Sequence, residues 1–132
     1  MPTSSSRSPR SPDAQLPLKP VAFQVLLSLA GGERHGYGIV QDIADRTAAR
    51  IRLEPGNLYR VLKAMLDDGL IEESERRPAP DQDDERRRYY RITRFGRQVA
   101  MAEAARLEQV VADARALQLI PALPRPDGRG RK

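Results

Sequence analysis

Asn57, Arg60 and Lys63 follow one another at three-residue intervals in a stretch whose apolar residues fall elsewhere, so all three side chains share one helical face. Arginine bonds guanine in bidentate fashion, asparagine does the same with adenine, and lysine suits a phosphate. Gly56 sits beside them and lets a backbone approach closely, and the Tyr59 hydroxyl at the edge of the apolar stripe has the reach for a phosphate. A second basic cluster follows downstream: Arg76, Arg77, Arg86, Arg87, Arg88 and Arg91 flank one loop. Arginines on such a loop can lie along a phosphate backbone or enter a minor groove. Each cluster has a plainer alternative. The first could be a solvated helix face, and the second could pair internally with Asp81, Asp83, Asp84 and Glu85.

Other chemistries lack their residues. There is no cysteine, which removes disulfides, thiol nucleophiles and cysteine-based zinc sites, and the only histidine is His35. One histidine without a carboxylate pattern gives no metal site and no His-based triad. No cofactor and no catalysis are expected. His35 itself reads either as a ligand or pH sensor or as a hydrogen-bonding turn residue beside Gly36.

The elements that would position these residues can be read from period and punctuation. Leu18, Val21, Ala22, Val25, Leu26 and Leu29 mark one face of a first helix, ended by Gly31-Gly32. A second helix runs from about Tyr37 to Thr47. A third runs from about Pro55 to Asp68, with Leu58, Val61, Leu62, Met65 and Leu66 inward and Gly69 as its left-handed cap. The period then changes to that of two strands, Leu70 to Glu75 and Arg86 to Ile92, joined by a long loop. Residues from about Arg50 to Leu53 could add a short strand beside this hairpin. Thr93 can cap a last helix from about Arg94 to Gln118. The fold class is therefore mainly α with a small β-hairpin: a winged helix-turn-helix followed by a long C-terminal helix. Its third helix would enter the major groove of duplex DNA.

The last helix carries Ala100, Ala104, Leu107, Val110, Val111, Ala114 and Leu117 as a stripe of small and apolar residues. Packing within the chain could cover part of so long a stripe. A two-fold partner helix would cover the rest and would set two recognition helices about one DNA turn apart, matching a pseudo-palindromic site. The expected organisation is a Ser/Pro/Arg-rich tail over residues 1–16, a DNA-binding domain over 17–93, a dimerisation helix over 94–120 and a basic tail over 121–132.

Net charge says less than its value of +5 suggests. Residues 1–17 carry Arg7 and Arg10 against Asp13, and residues 121–132 carry Arg125, Arg129, Arg131 and Lys132 against Asp127. That leaves 17 basic and 16 acidic groups for residues 18–120. The placement of arginines, not the total, is what points to nucleic acid. No apolar run reaches the roughly 20 residues that span a bilayer, and the N-terminus has no apolar core of a secretory signal, so a cytoplasmic protein without membrane contact is expected. A winged helix used only for protein contacts is the competing function.

Four stretches in order resemble the PadR family of transcriptional regulators: His35-Gly36-Tyr37-Gly38-Ile39, Pro55-Gly56-Asn57-Leu58-Tyr59-Arg60-Val61-Leu62, Asp68-Gly69-Leu70-Ile71-Glu72, and Arg87-Arg88-Tyr89-Tyr90-Arg91-Ile92-Thr93 with Gly96. The resemblance runs from about Leu18 to Leu119. It implies an N-terminal winged helix domain, a C-terminal dimerisation helix and, usually, repression. Some members bind aromatic or drug-like effectors near the dimer interface. Glu54 stands where the family often has Ser or Gly, Asn57 stands where Thr or Ser is common, and the single final helix resembles the short branch. With no Trp in the chain, a tryptophan-lined effector pocket is absent.

Overall fold

The computed structural model describes residues 11–75 and 88–122. The chain enters through a 3-10 turn, Pro12–Gln15, capped by the Ser11 side chain. Helix α1 (Pro20–Ala30) starts with a proline at its first position, where a missing N–H costs nothing. A two-residue strand β1 (Arg34–His35) leads into α2 (Gly36–Arg46). Helix α3 (Pro55–Asp67) is followed by β2 (Ile71–Glu73), β3 (Tyr89–Ile92) and the long α4 (Arg94–Ala116). The strands form one antiparallel sheet in the order β1-β3-β2. Ile71 stands opposite Ile92, and His35 opposite Tyr89. This is a mainly helical winged helix-turn-helix with a long C-terminal helix. Among the described residues no helix is long and apolar enough to cross a membrane.

One core holds the elements together. Val25, Leu26 and Leu29 of α1 meet Ile39 and Ile43 of α2 and Leu58, Leu62 and Met65 of α3. Leu70, Ile71, Tyr90 and Val99 close it from the sheet and α4. The apolar stripes at helical spacing are what this core consumes. Gly69 takes the left-handed conformation expected of a C-cap, with φ of 76°. Thr93 caps α4 by accepting from the Gly96 N–H at 2.9 Å. Its hydroxyl donates to the Gly69 carbonyl at 2.6 Å, so the same side chain ties α4 to the end of α3.

Two expectations are corrected. The strand that joins the hairpin is Arg34–His35, not residues 50–53. Residues 50–53 still alternate: Ile51 and Leu53 pack on the core while Arg50 and Arg52 are exposed. They have no strand neighbour, because Ala48 and Ala49 turn the chain through left-handed conformations just before them and the Ile51 N–H goes to Thr47 Oγ1. The last residues of the expected tail over 1–16 are structured: Pro12–Gln15 forms a 3-10 turn, and Leu16, like Leu18 after it, packs against the core. Ala100 of the expected stripe packs in part against the core of its own chain. The expected wing loop, with Arg76, Arg77, Arg86 and Arg87, lies outside the described residues, as do residues 1–10 and 123–132.

Candidate nucleic-acid interface

Helix α3 buries Leu58, Leu62 and Met65 and therefore turns Gly56, Arg60, Lys63 and Asp67 outward. Asn57 and Tyr59 do not share that outer face. They are half-buried and flank it on opposite sides. Asn57 lies on the side of the N-terminal segment, and Tyr59 lies on the side of the sheet. The start of α3 has Pro55 in its first turn and Glu54 at the cap position, where the glutamate side chain makes no capping hydrogen bond. The amides of the first turn therefore lack a side-chain cap and, with the helix dipole, favour an anion nearby.

The outward side chains are held by short-range partners. Arg60 Nη1 donates to Asn57 Oδ1 at 3.0 Å, which fixes the guanidinium one turn along from the amide. Lys63 lies 3.8 Å from Asp67, and both are largely exposed, so this pair is weak and easily exchanged for a phosphate. Nothing approaches within 4 Å of the place where a Gly56 Cβ would sit, so the surface there is open.

The sheet divides its arginines between two faces. Arg88 pairs with Glu73 at 2.9 Å and borders a shallow hollow with Tyr59, Lys63 and Tyr90, so it adjoins the flank of α3. Arg91 alternates to the opposite face. There it donates to Glu72 at 2.7 Å and lies 3.9 Å from Glu33. Hydrogen bonding and charge from Glu72, together with Glu33 and Glu75, raise the guanidinium pKa further against burial. Arg91 is thus committed to its own sheet, while Arg88 shares a surface with Lys63.

Sequence reasoning passed over Arg50 and Arg52. Both are exposed on the extended segment that delivers the chain to α3, within five residues of its start. The alternation of basic and apolar residues from Arg50 to Leu53 was the available signal. His35 is the N-cap of α2, its Nδ1 accepting from the Gly38 N–H at 3.0 Å. It packs edge-on to Tyr89 with ring centroids 5.2 Å apart. Both contacts are structural: they fix the start of α2, the first helix of the helix-turn-helix pair, against the sheet. Helix α2 is held to α1 by Arg46, which donates to the Gln24 side chain at 3.0 Å and to the Gln24 carbonyl at 3.1 Å; Asp42 accepts from the same guanidinium at 2.8 Å and lies 3.4 Å from Arg34. Burial opposes ionisation of Asp42, yet hydrogen bonding from Arg46 and Ser28 and charge from Arg46 and Arg34 hold its carboxyl below the ordinary range.

Helix α4 leaves this body behind. Its buried residues are Gly96, Val99 and Glu103, and none of the residues from 104 to 116 is buried. Ala104 is exposed, Leu107 and Ala114 are half-buried, and Val110, Val111 and Leu117 are exposed by 48%, 42% and 73%. Met101, absent from the expected stripe, is 67% exposed on the same helix.

Comparison with known proteins gives a consistent fold. The profile of the transcriptional regulator PadR-like family matches residues 25–102. No individually curated protein matches the chain. Among solved structures, a PadR-like transcriptional regulator from Bacillus cereus is 19% identical with a TM-score of 0.62, over 76% of this chain and 93% of that one. A transcriptional regulator from Clostridium thermocellum is 23% identical with a TM-score of 0.61, over 73% of this chain and 87% of that one. Bacillus subtilis PadR in complex with operator DNA is 20% identical with a TM-score of 0.55, over 84% of this chain and 52% of that one.

Proposed function

The chain belongs to the PadR-like family of transcriptional regulators, and from that membership we propose that it is a homodimeric repressor reading a pseudo-palindromic operator in the cytoplasm. The observation that carries this reading is the outer face of α3. It sets an Asn57-held Arg60, a weakly paired Lys63 and the open backbone at Gly56 beside Arg88 of the sheet. Arg60 contacts base edges, with Asn57 orienting it or reading a base from the flank. Lys63 and Arg88 neutralise phosphates, and the Tyr59 hydroxyl donates to one. Arg86 and Arg87, next to Arg88 in the sequence, add further phosphate contacts. The B. subtilis neighbour, solved with operator DNA, supports the same use of the fold.

Dimerisation follows from α4. Its 23 residues extend about 35 Å, and none of those beyond Glu103 is fully buried within the chain. A second copy would cover Ala104, Leu107, Val110, Val111, Ala114 and Leu117 and would present two α3 helices to successive turns of one DNA face.

A gel-shift titration of the full chain on its own upstream DNA tests the proposal. Specific binding should weaken steeply with salt. Arg60→Ala should cost about 1–3 kcal/mol of affinity while the dimer stays intact. No shift on any duplex at low salt would sink the reading and favour a module for protein contacts.

A further inference from the structure

Between the N-terminal segment and α3 lies a groove of about 620 Å³, within the size range of small-molecule sites. Leu18 and Val21 form one apolar wall, and Val61, Ala64 and Met65 of α3 form the other. The first wall is firmly mounted. Glu103 of α4 is 2% exposed. Its carboxylate accepts two hydrogen bonds from Arg106, at 2.7 and 2.8 Å. It also accepts from the Leu18 backbone N–H. The second wall belongs to the recognition helix.

The charged groups lining the groove are Lys19, Arg60 and Asp68, a net charge of +1. Asp68 stands eight residues beyond Arg60, about 12 Å along the helix axis. An anion held at Arg60 is therefore well away from the carboxylate, and one negative charge balances the site. Lys19 is the N-cap residue of α1 and makes no side-chain capping bond there.

We propose that this groove binds an amphipathic monoanion, a carboxylate on an apolar alkyl body, and that occupancy excludes DNA. The alkyl body covers the Leu18–Val21 and Val61–Met65 walls, and the carboxylate pairs with Arg60 and Lys19. Exclusion follows because Arg60, with its Asn57 partner, lines the groove and also faces outward on α3; this half rests on the DNA reading above. All of its lining comes from one chain, whereas an effector site at a dimer interface would draw on two.

The test uses the full chain and sodium decanoate below its micelle concentration, with decanamide as the uncharged analogue. Calorimetry should find one decanoate per chain, bound at least about tenfold more tightly than decanamide, as a charge-assisted hydrogen bond requires. Ala64→Phe fills the groove from an exposed position and should abolish binding. Lys19→Glu, a change at an exposed cap, should erase the preference for decanoate. At ten times its own Kd, decanoate should raise the apparent Kd for DNA about tenfold. Absence of decanoate binding, or binding undiminished in both variants, overturns the site. A dimer that becomes monomeric on Ala64→Phe, seen by sedimentation, overturns it too, because the groove would then be the seat of a second copy. Unchanged DNA affinity with decanoate bound overturns the exclusion. A chain that takes decanoate but never binds DNA leaves the site standing and refutes the DNA reading instead.

Discussion

A methyl group added at Gly96 would lie 2.0 Å from the Leu70 carbonyl oxygen and 2.9 Å from its carbon. Both are backbone atoms at the seam where α4 docks on the end of α3, so no side chain can swing aside. Relief requires the helix and strand to separate by more than about 1 Å, since ordinary carbon–oxygen contact is above 3 Å. That movement strains the joints formed by Thr93, whose N–H donates to Leu70 O at 3.1 Å and whose hydroxyl donates to Gly69 O at 2.6 Å. Overpacking of this kind costs about 1–3 kcal/mol and each weakened hydrogen bond about 1 kcal/mol. Alanine's better helix propensity returns at most about 1 kcal/mol. Gly96→Ala should therefore destabilise by about 2–4 kcal/mol and lower Tm by at least about 10 °C. Thermal melts at matched protein concentration check this, because a dimer's Tm depends on concentration. The control is Gly56→Ala, where a Cβ meets nothing within 4 Å; its Tm should hold or rise, while its DNA affinity should fall if the backbone there abuts DNA. A Gly96→Ala protein as stable as the parent would refute the seam as described.

Val111→Glu places a charge on the uncovered half of α4, and sedimentation should show more than a tenfold weakening of the dimer with the helix-turn-helix still folded. Lys63→Ala should reduce the slope of log affinity against log salt by about 0.9, the share of one phosphate contact, and leave sequence preference unchanged. Glu103→Gln removes a carboxylate whose pKa is held below the ordinary glutamate range by hydrogen bonding from Arg106, against burial. A lowered folded pKa means the stabilisation is complete above the unfolded value, near 4.3, and is lost as pH falls through the lower folded one. The gap in Tm between parent and Glu103→Gln should thus stay constant above about pH 5 and close in acid; a gap that persists at pH 2 would show that the carboxylate's charge is not what stabilises.

The helices were legible because each must bury a stripe, and a stripe repeats over three turns. Leu58, Leu62 and Met65 fixed both the inner side of α3 and, by subtraction, the outer side that carries Arg60 and Lys63. Caps were legible for a similar reason: Thr93 and Gly69 stand where only a hydroxyl or a left-handed residue meets the backbone's need. Strand β1 was not. Two residues have no period, and Arg34-His35 joins the sheet only through pairing with Tyr89 and Tyr90, more than fifty residues away. The alternation at Arg50–Leu53 gave a strand-like signal because an extended segment with one face on a core alternates whether or not a neighbour pairs with it.

The interface shows the same limit at finer scale. Counting arginines in the wing treats Arg88 and Arg91 alike, but strand alternation sends them to opposite faces, and long-range partners then decide their roles. Arg91 meets Glu72 and Glu33, from β2 and from the turn before β1, and is neutralised where it stands. Arg88 meets Glu73 of β2 and stays next to Lys63. A phosphate arriving at that edge meets Arg88 paired with Glu73 and Lys63 paired with Asp67, partly or largely exposed pairs each worth less than about 1 kcal/mol. Such pairs cost little to give up and keep the cations oriented for an incoming phosphate. The low net charge of residues 18–120 is therefore compatible with the proposed DNA-binding face: the acids that cancel its cations are exposed local partners, weak at Lys63 and Arg88 and divided between Glu72 and Glu33 at Arg91 on the opposite face.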